Sequence, residues 1–258
     1  MQSSFLKNPQ KILLTDLDDT LTTHGKLTAE AYQGLWDLYL ANIAVIPVTG
    51  RPAGYCELIA RWWPVSAVIG ENGAFYFWMK NDRMYRWYHP EAHAFHTNKK
   101  RFALIEKEVL KQFPRAQVAS DQFCRLFDLA IDFAEDVNPP LGLTEAEQIK
   151  KIFEQQGAHA KVSSIHVNGW FGSYTKLDTS LKLLEDLWQI DSSQARETVY
   201  FVGDSANDAP MFGFFKKSFG VANIRPFLKN MTHSPSQILK HASGEGFVEL
   251  CRMLLARP

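Results

Sequence analysis

Two short acidic stretches carry the chemistry this chain is able to do. Asp16-Leu17-Asp18-Asp19-Thr20 directly follows an apolar run that begins at Lys11. Alternate residues of an extended segment point the same way, so Asp16 and Asp18 face one site. Carboxylates held that close repel each other, and a hard cation such as Mg2+ relieves the repulsion while keeping them ionised. The second stretch, Val202-Gly203-Asp204-Ser205-Ala206-Asn207-Asp208, also follows an apolar run and leads into a helix. It brings Asp204 and Asp208 to the same kind of edge. Mg2+ prefers oxygen ligands in octahedral geometry and keeps several waters. Direct bonds from Asp16 and Asp204, with Asp208 acting through water, suit that habit.

Between the acidic stretches stand Thr49, closing a strand, and Lys176, opening a helix. A phosphoryl group needs donors around its oxygens, and a hydroxyl with an ammonium supplies them. Lys182 lies on the same helix as a competitor, but Lys176 is nearer the helix start. Arg51 either pairs with a carboxylate or meets a substrate. In Glu71-Asn72-Gly73, Asn72 reads as a turn residue.

The elements that position these groups alternate. Strands are expected over 11–16, 43–48, 67–69, 198–202 and 218–222; helices over 27–41, with Thr28 as N-cap, and over 53–62, 177–188, 208–214 and 246–255. Strands alternating with helices imply a parallel sheet covered on both faces, with ligands at the carboxyl ends of its strands. The middle of the chain differs. Segments 74–79 and 84–89 flank Asn81-Asp82 and read as a hairpin, followed by helix 97–113, strand 126–133, helix 144–156 and strand 163–168. The expectation is an α/β, Rossmann-like core over 1–80 and 171–258, with an α+β domain inserted over 81–170 and Gly169 and Gly172 as hinge candidates.

These motifs resemble those of the haloacid dehalogenase superfamily, in particular its type IIB branch of Cof-like and sugar-phosphate phosphatases. Asp16–Thr20 (DLDDT) matches the first motif, Thr49-Gly50-Arg51 the second, Lys176 the third and Gly203–Met211 (GDSANDAPM) the fourth, in order across nearly the whole chain. One departure is the residue after the lysine, Leu177, where many relatives have glycine. The resemblance implies a type C2 cap at the insertion and a Mg2+-dependent phosphatase acting on a small phosphorylated metabolite, a sugar phosphate or related monoester. It makes Asp16 the nucleophile and Asp18 the acid and base. The metal would be held by Asp16, the Asp18 carbonyl, Asp204 and Asp208; the phosphoryl group by Thr49, Gly50, Lys176 and Asn207. A sugar phosphomutase shares this core and cap, and a non-catalytic phosphate binder would keep the fold.

Composition is compatible with that reading. The 28 basic and 28 acidic side chains cancel, which gives no net basic surface for nucleic acid or an anionic membrane. Cys56, Cys124 and Cys251 are scattered without metal-type spacing. No apolar run is long enough for a bilayer, residues 1–10 lack the apolar core of a signal peptide, and a cytoplasmic location is expected. Neither a dinucleotide nor a P-loop glycine pattern occurs. The inward-facing cap residues, the substrate and the oligomeric state are not legible.

Overall fold

The structure, a computed structural model, describes residues 5–256, so the first four residues of the 1–10 segment lie outside it. A parallel sheet of five strands forms the centre: β1 (Lys11–Thr15), β2 (Ile43–Pro47), β10 (Tyr200–Gly203), β11 (Lys217–Gly220) and β12 (Gln237–Ile238), in the order β12-β11-β10-β1-β2. The inner strands are apolar on both faces because both are covered. Leu13 packs on one face with Leu35, Val45 and Phe247, and its neighbour Leu14 on the other with Ile46, Phe201 and Leu184. Helices α1 (Ala29–Leu40), α2 (Ala53–Trp62) and α8 (Ser243–Leu255) cover the first face; α5 (Lys176–Trp188), α6 (Ser192–Thr198) and α7 (Ala209–Phe214) cover the second. Thr28 caps α1, its hydroxyl accepting from Ala31 N at 3.2 Å.

Beyond β2 the sheet continues through a parallel bridge from Val48 to Ile69 in β3 (Val68–Gly70). There it joins an antiparallel hairpin of β4 (Phe75–Lys80) and β5 (Arg83–Tyr88). Asn81 and Asp82 both have positive φ, 50° and 57°, as a two-residue hairpin turn requires. Phe75 and Phe77 share the core of Leu13 and Val45, so a division at residue 80 runs through the turn of a hairpin packed on the central sheet.

A second sheet, antiparallel in the order β6-β7-β9-β8, consists of β6 (Gln117–Val118), β7 (Leu129–Asp132), β8 (His159–Val162) and β9 (His166–Trp170). Helices α3 (Lys99–Gln112) and α4 (Leu143–Gln155) close a separate core over it, with Phe102, Ile131, Phe153 and Val167 fully or nearly fully buried.

Three expectations shift for identifiable reasons. The strand expected over 126–133 begins only at Leu129, because the Glu71 carboxylate takes the N–H groups of Leu126, Phe127 and Asp128. The strand expected over 163–168 becomes a turn and the strand 166–170, because the Ser163 hydroxyl accepts from His166 N and donates to His166 O. Gly169 is no hinge: it sits inside β9, where an added methyl would meet the Phe153 ring at 2.0 Å. Gly172, at φ +121°, does have a backbone that favours glycine, at the return to the core.

Gly73 fixes the approach of α5. Its φ is +107°, and a methyl on it would lie 2.3 Å from the Thr175 carbonyl oxygen, beside the helix start that carries Lys176. Gly73→Ala should therefore destabilise the protein by about 1–3 kcal/mol in chemical denaturation. An unchanged midpoint would contradict this account of the α5 approach.

Candidate active site

The site lies at the carboxyl edge of the central sheet, where β1, β2 and β10 end together. Asp16 follows β1 and is tied to the neighbouring strand by its N–H to the Val202 carbonyl at 2.9 Å. Asp204 follows β10. Asp208 folds back over Gly203, where a methyl would stand only 2.4 Å from its Oδ2, so the glycine makes room for the carboxylate. Each of Asp16, Asp204 and Asp208 offers an oxygen, all within 4.8 Å of one another, and all three residues are buried. Lys176, the first residue of α5, reaches them with Nζ, donating to Asp16 Oδ1 at 2.7 Å and to Asp208 Oδ1 at 3.2 Å. Lys182, by contrast, pairs with Asp186 on the outer side of α5.

Three carboxylates against one ammonium leave uncompensated charge. Burial pushes the Asp16 carboxyl up to about 7 against the pull of Lys176, with Asp208 and Asp18 adding to the rise. Burial, Asp16 and Asp208 push Asp204 well above the ordinary range. Burial works to lower Lys176, yet Asp16 and Asp208 hold it above its usual value, so it stays an ammonium. A compact, oxygen-only set with excess negative charge fits a hard divalent cation.

Asp18 stands apart from that trio. Its carboxylate is gripped by Arg51, with Nε at 3.1 and 3.0 Å from its two oxygens and Nη2 at 2.9 Å from Oδ1. The side chain is thus committed to Arg51, which leaves the backbone carbonyl as the atom Asp18 has free for a metal. Of the two readings of Arg51, the structure contains the carboxylate pair. The same guanidinium also binds Glu135, Nη2 to Oε1 at 2.9 Å, and Glu135 in turn lies 3.0 Å from His166 Nε2. His166 and Arg51 hold the Glu135 carboxyl down to about 2.

Thr49, Gly50, Arg51, Asn72, Lys176 and Asn207 line one pocket with Asp16, Asp18 and Asp204. Its roof comes from the second sheet: Lys161, the 163–165 turn, His166 and Asn168. Gly50 carries no side chain where a methyl would press on the Asn72 amide at 3.2 Å. Asn72 is both a turn residue, at φ 58°, and a pocket residue whose buried Nδ2 finds no partner among the described residues. The cationic and histidine side chains of 83–101 that the sequence displays are absent from this lining; Arg86, for instance, pairs with Glu57.

Several residues of the site carry no motif. Asn223 donates to the Asp19 carbonyl at 3.0 Å and to Asp204 Oδ2 at 3.4 Å, bracing both acidic loops. Arg125, fully buried, binds Asp121 and Asp128 and donates to the Gly50 carbonyl at 3.0 Å. Glu71 and Arg125 thus hold the second sheet against the strand-end loops. A buried charge that must be paired was the available signal, but nothing in a linear sequence assigns the partner.

No family model matches the chain, and no curated protein does. Among solved structures there is extensive likeness at low identity. A haloacid dehalogenase-like hydrolase from Bacteroides thetaiotaomicron superposes with a TM-score of 0.65 at 16% identity, covering 95% of this chain and 99% of that one. A HAD/COF-like hydrolase from Plasmodium vivax gives 0.68 at 16%, covering 98% and 96%. The sucrose-phosphatase from Synechocystis, solved with sucrose and phosphate, gives 0.61 at 18%, covering 95% and 98%. The chain therefore has the haloacid dehalogenase-like fold, as the motif order implied. Among the described residues no helix is long and apolar enough to cross a membrane.

The charge excess predicts how a metal binds. A carboxyl with a raised pKa keeps its proton at pH values where an unfolded aspartate has lost it. A cation must displace that proton, so its apparent affinity weakens as pH falls below about 7. Mg2+ should raise Tm more at about pH 8 than at about pH 6, and Asp204→Asn should remove the effect. A rise that is the same at both pH values would contradict this electrostatic picture.

Proposed function

We propose that the protein is a Mg2+-dependent phosphomonoesterase that moves the phosphoryl group of a small phosphorylated metabolite, a sugar phosphate or related ester, onto Asp16 and then to water. The observation that carries this reading is the buried ammonium–carboxylate cluster of Lys176, Asp16, Asp204 and Asp208 beside a pocket that also holds Thr49 and Asn207. Asp16, Asp204, Asp208 and the Asp18 carbonyl would hold the cation, which supplies neutralisation of the phosphoryl oxygens and of the acid cluster.

Asp16 Oδ attacks phosphorus in line with the leaving oxygen, forming an acyl phosphate while the phosphorus–oxygen bond to the substrate breaks. Asp18, whose carboxylate is paired with Arg51 here, would part from it and take up a proton when substrate binds, give that proton to the leaving oxygen, and as a carboxylate then take one from the water that attacks phosphorus and releases Asp16. The Lys176 ammonium and the Thr49 hydroxyl donate to the phosphoryl oxygens, while the Gly50 and Asn207 corner shapes the space around them. The second sheet with α3 and α4 acts as the cap: the turn at 163–165, with His166 and Asn168, covers the pocket, excludes water and meets the leaving group. A sugar phosphate is supported by the fold shared with the sucrose-phosphatase.

Asp16→Asn should lower Mg2+-dependent phosphate release from p-nitrophenyl phosphate and from a panel of sugar phosphates by at least about a thousandfold, with Tm retained. Activity surviving in that variant would rule out Asp16 as nucleophile.

A further inference from the structure

Arg51 holds two carboxylates, one from each sheet. Its Nε–Nη2 edge grips Asp18, with Nε at 3.1 and 3.0 Å from the two oxygens and Nη2 at 2.9 Å from Oδ1. Its Nη1–Nη2 edge meets Glu135, with Nη2 at 2.9 Å from Oε1 and Nη1 at 3.4 Å from Oε2. The two grips share only Nη2, so the rigid fork of donors can release one carboxylate and keep the other. Asp18 lines the pocket with Asp16, whereas Glu135 is outside the lining. Glu135 therefore acts on the reacting groups only through Arg51.

Glu135 is built into its place. At the end of β7 the fully buried Asp132 accepts from Ala134 N at 2.9 Å, Glu135 N at 2.8 Å and Asp136 N at 2.8 Å, which orders the loop. His166 Nε2 lies 3.0 Å from Glu135 Oε2, and His166 and Arg51 hold the carboxyl low enough that it stays a carboxylate at neutral pH. The next acid, Asp121, lies 3.8 Å from Nη1 and is taken by Arg125 at 2.9 and 3.0 Å.

Burial explains why a second carboxylate is needed. Arg51 is 7% exposed, and a guanidinium left there without an anion would be strongly destabilising. Asp18 cannot serve a leaving oxygen while both its oxygens are on Arg51. It can part from Arg51 only if another anion stays behind, and Glu135 is already in contact.

We propose that Glu135 is a positioning residue for the phosphoryl transfer: it retains Arg51 when substrate arrives and so releases Asp18 to act as acid and base. The Arg51–Asp18 hydrogen bonds break, the Arg51–Glu135 ones persist, and no covalent step is added. This rests on the phosphoryl-transfer reading of Asp16. It gives the second sheet a part in the chemistry as well as in the roof.

The test uses two aryl esters with unequal leaving groups, p-nitrophenyl phosphate and phenyl phosphate. The p-nitrophenolate departs readily without a proton, whereas phenolate is a poorer leaving group, so the second ester depends more on Asp18 as acid. Glu135→Gln keeps the shape of the side chain and removes its charge, so that the guanidinium stays on Asp18. With Mg2+ present, kcat/KM for phenyl phosphate should fall about a hundredfold and that for p-nitrophenyl phosphate no more than about threefold, with Tm retained. In an Arg51→Met background, adding Glu135→Gln should change neither ester by more than about twofold, since the carboxylate then has nothing to act through. The proposal is overturned if both esters fall by the same factor, as a general distortion of the pocket would cause, or if neither falls. It is equally overturned if Glu135→Gln is as damaging without Arg51 as with it. Failure of the phosphatase reading itself shows separately, as absence of p-nitrophenyl phosphate hydrolysis by the unaltered protein.

Discussion

The structure depends on one electrostatic constraint: Asp16, Asp204 and Asp208 are buried within 4.8 Å of one another, with a single ammonium, Lys176, among them. Buried like charges are costly unless paired or bound to metal. Three separate stretches of chain deliver them, Asp204 and Asp208 on one and the same stretch, and the positions of β1, β10 and α5 are therefore tied to the site. The glycines nearby follow from it. Gly203 yields space to Asp208, and Gly73 lets the start of α5 come close enough for Lys176 to reach across.

A second layer of buried charge joins the two sheets. Glu71 leaves the central sheet and accepts from Ala53 N and from the N–H groups of Leu126, Phe127 and Asp128, which lead into β7. Arg125 links Asp121 and Asp128 with the Gly50 carbonyl. Arg51 spans from Asp18 to Glu135, and Glu135 to His166. The roof over the pocket is thus held by directional polar contacts to the same loops that carry the acidic residues. Such contacts fix geometry more than they add stability, since charged groups gain little net free energy from burial even when paired.

Much of this was legible in the chain because the local rules agree with the fold. The apolar runs ending in Asp16 and Val202 are parallel strands whose two faces are both buried, and such strands read as uninterrupted hydrophobic stretches. Thr28 as a cap and Asn81-Asp82 as a turn were readable from residue type alone. The motif lysine was separable from Lys182 by its place at a helix start. What escaped depends on distance in space. The short strand His159–Val162 and the helix Ser192–Thr198 are brief, and the Asp191–Gln194 capping box was the one local sign of the latter. Asn223 and Glu71 reach partners far along the chain, Asp19 and residues 126–128, and Arg125, although its carboxylate partners Asp121 and Asp128 are local, meets the Gly50 carbonyl across the two sheets. The roof residues were hidden for the same reason: only the register of β8 on β9 decides that Lys161 lies opposite Asn168 over the pocket.

The central claim is that these segments surround one cation and one phosphoryl group, with phosphorus within reach of Asp16. A crystal structure grown with Mn2+ and beryllofluoride, which mimics a phosphoryl group on a carboxylate, tests it directly. The account predicts one anomalous peak among Asp16, Asp204 and Asp208, and beryllium bonded to an Asp16 oxygen with Lys176 and Thr49 on its fluorines. Metal bound away from that trio, or beryllofluoride on any residue other than Asp16, would contradict it.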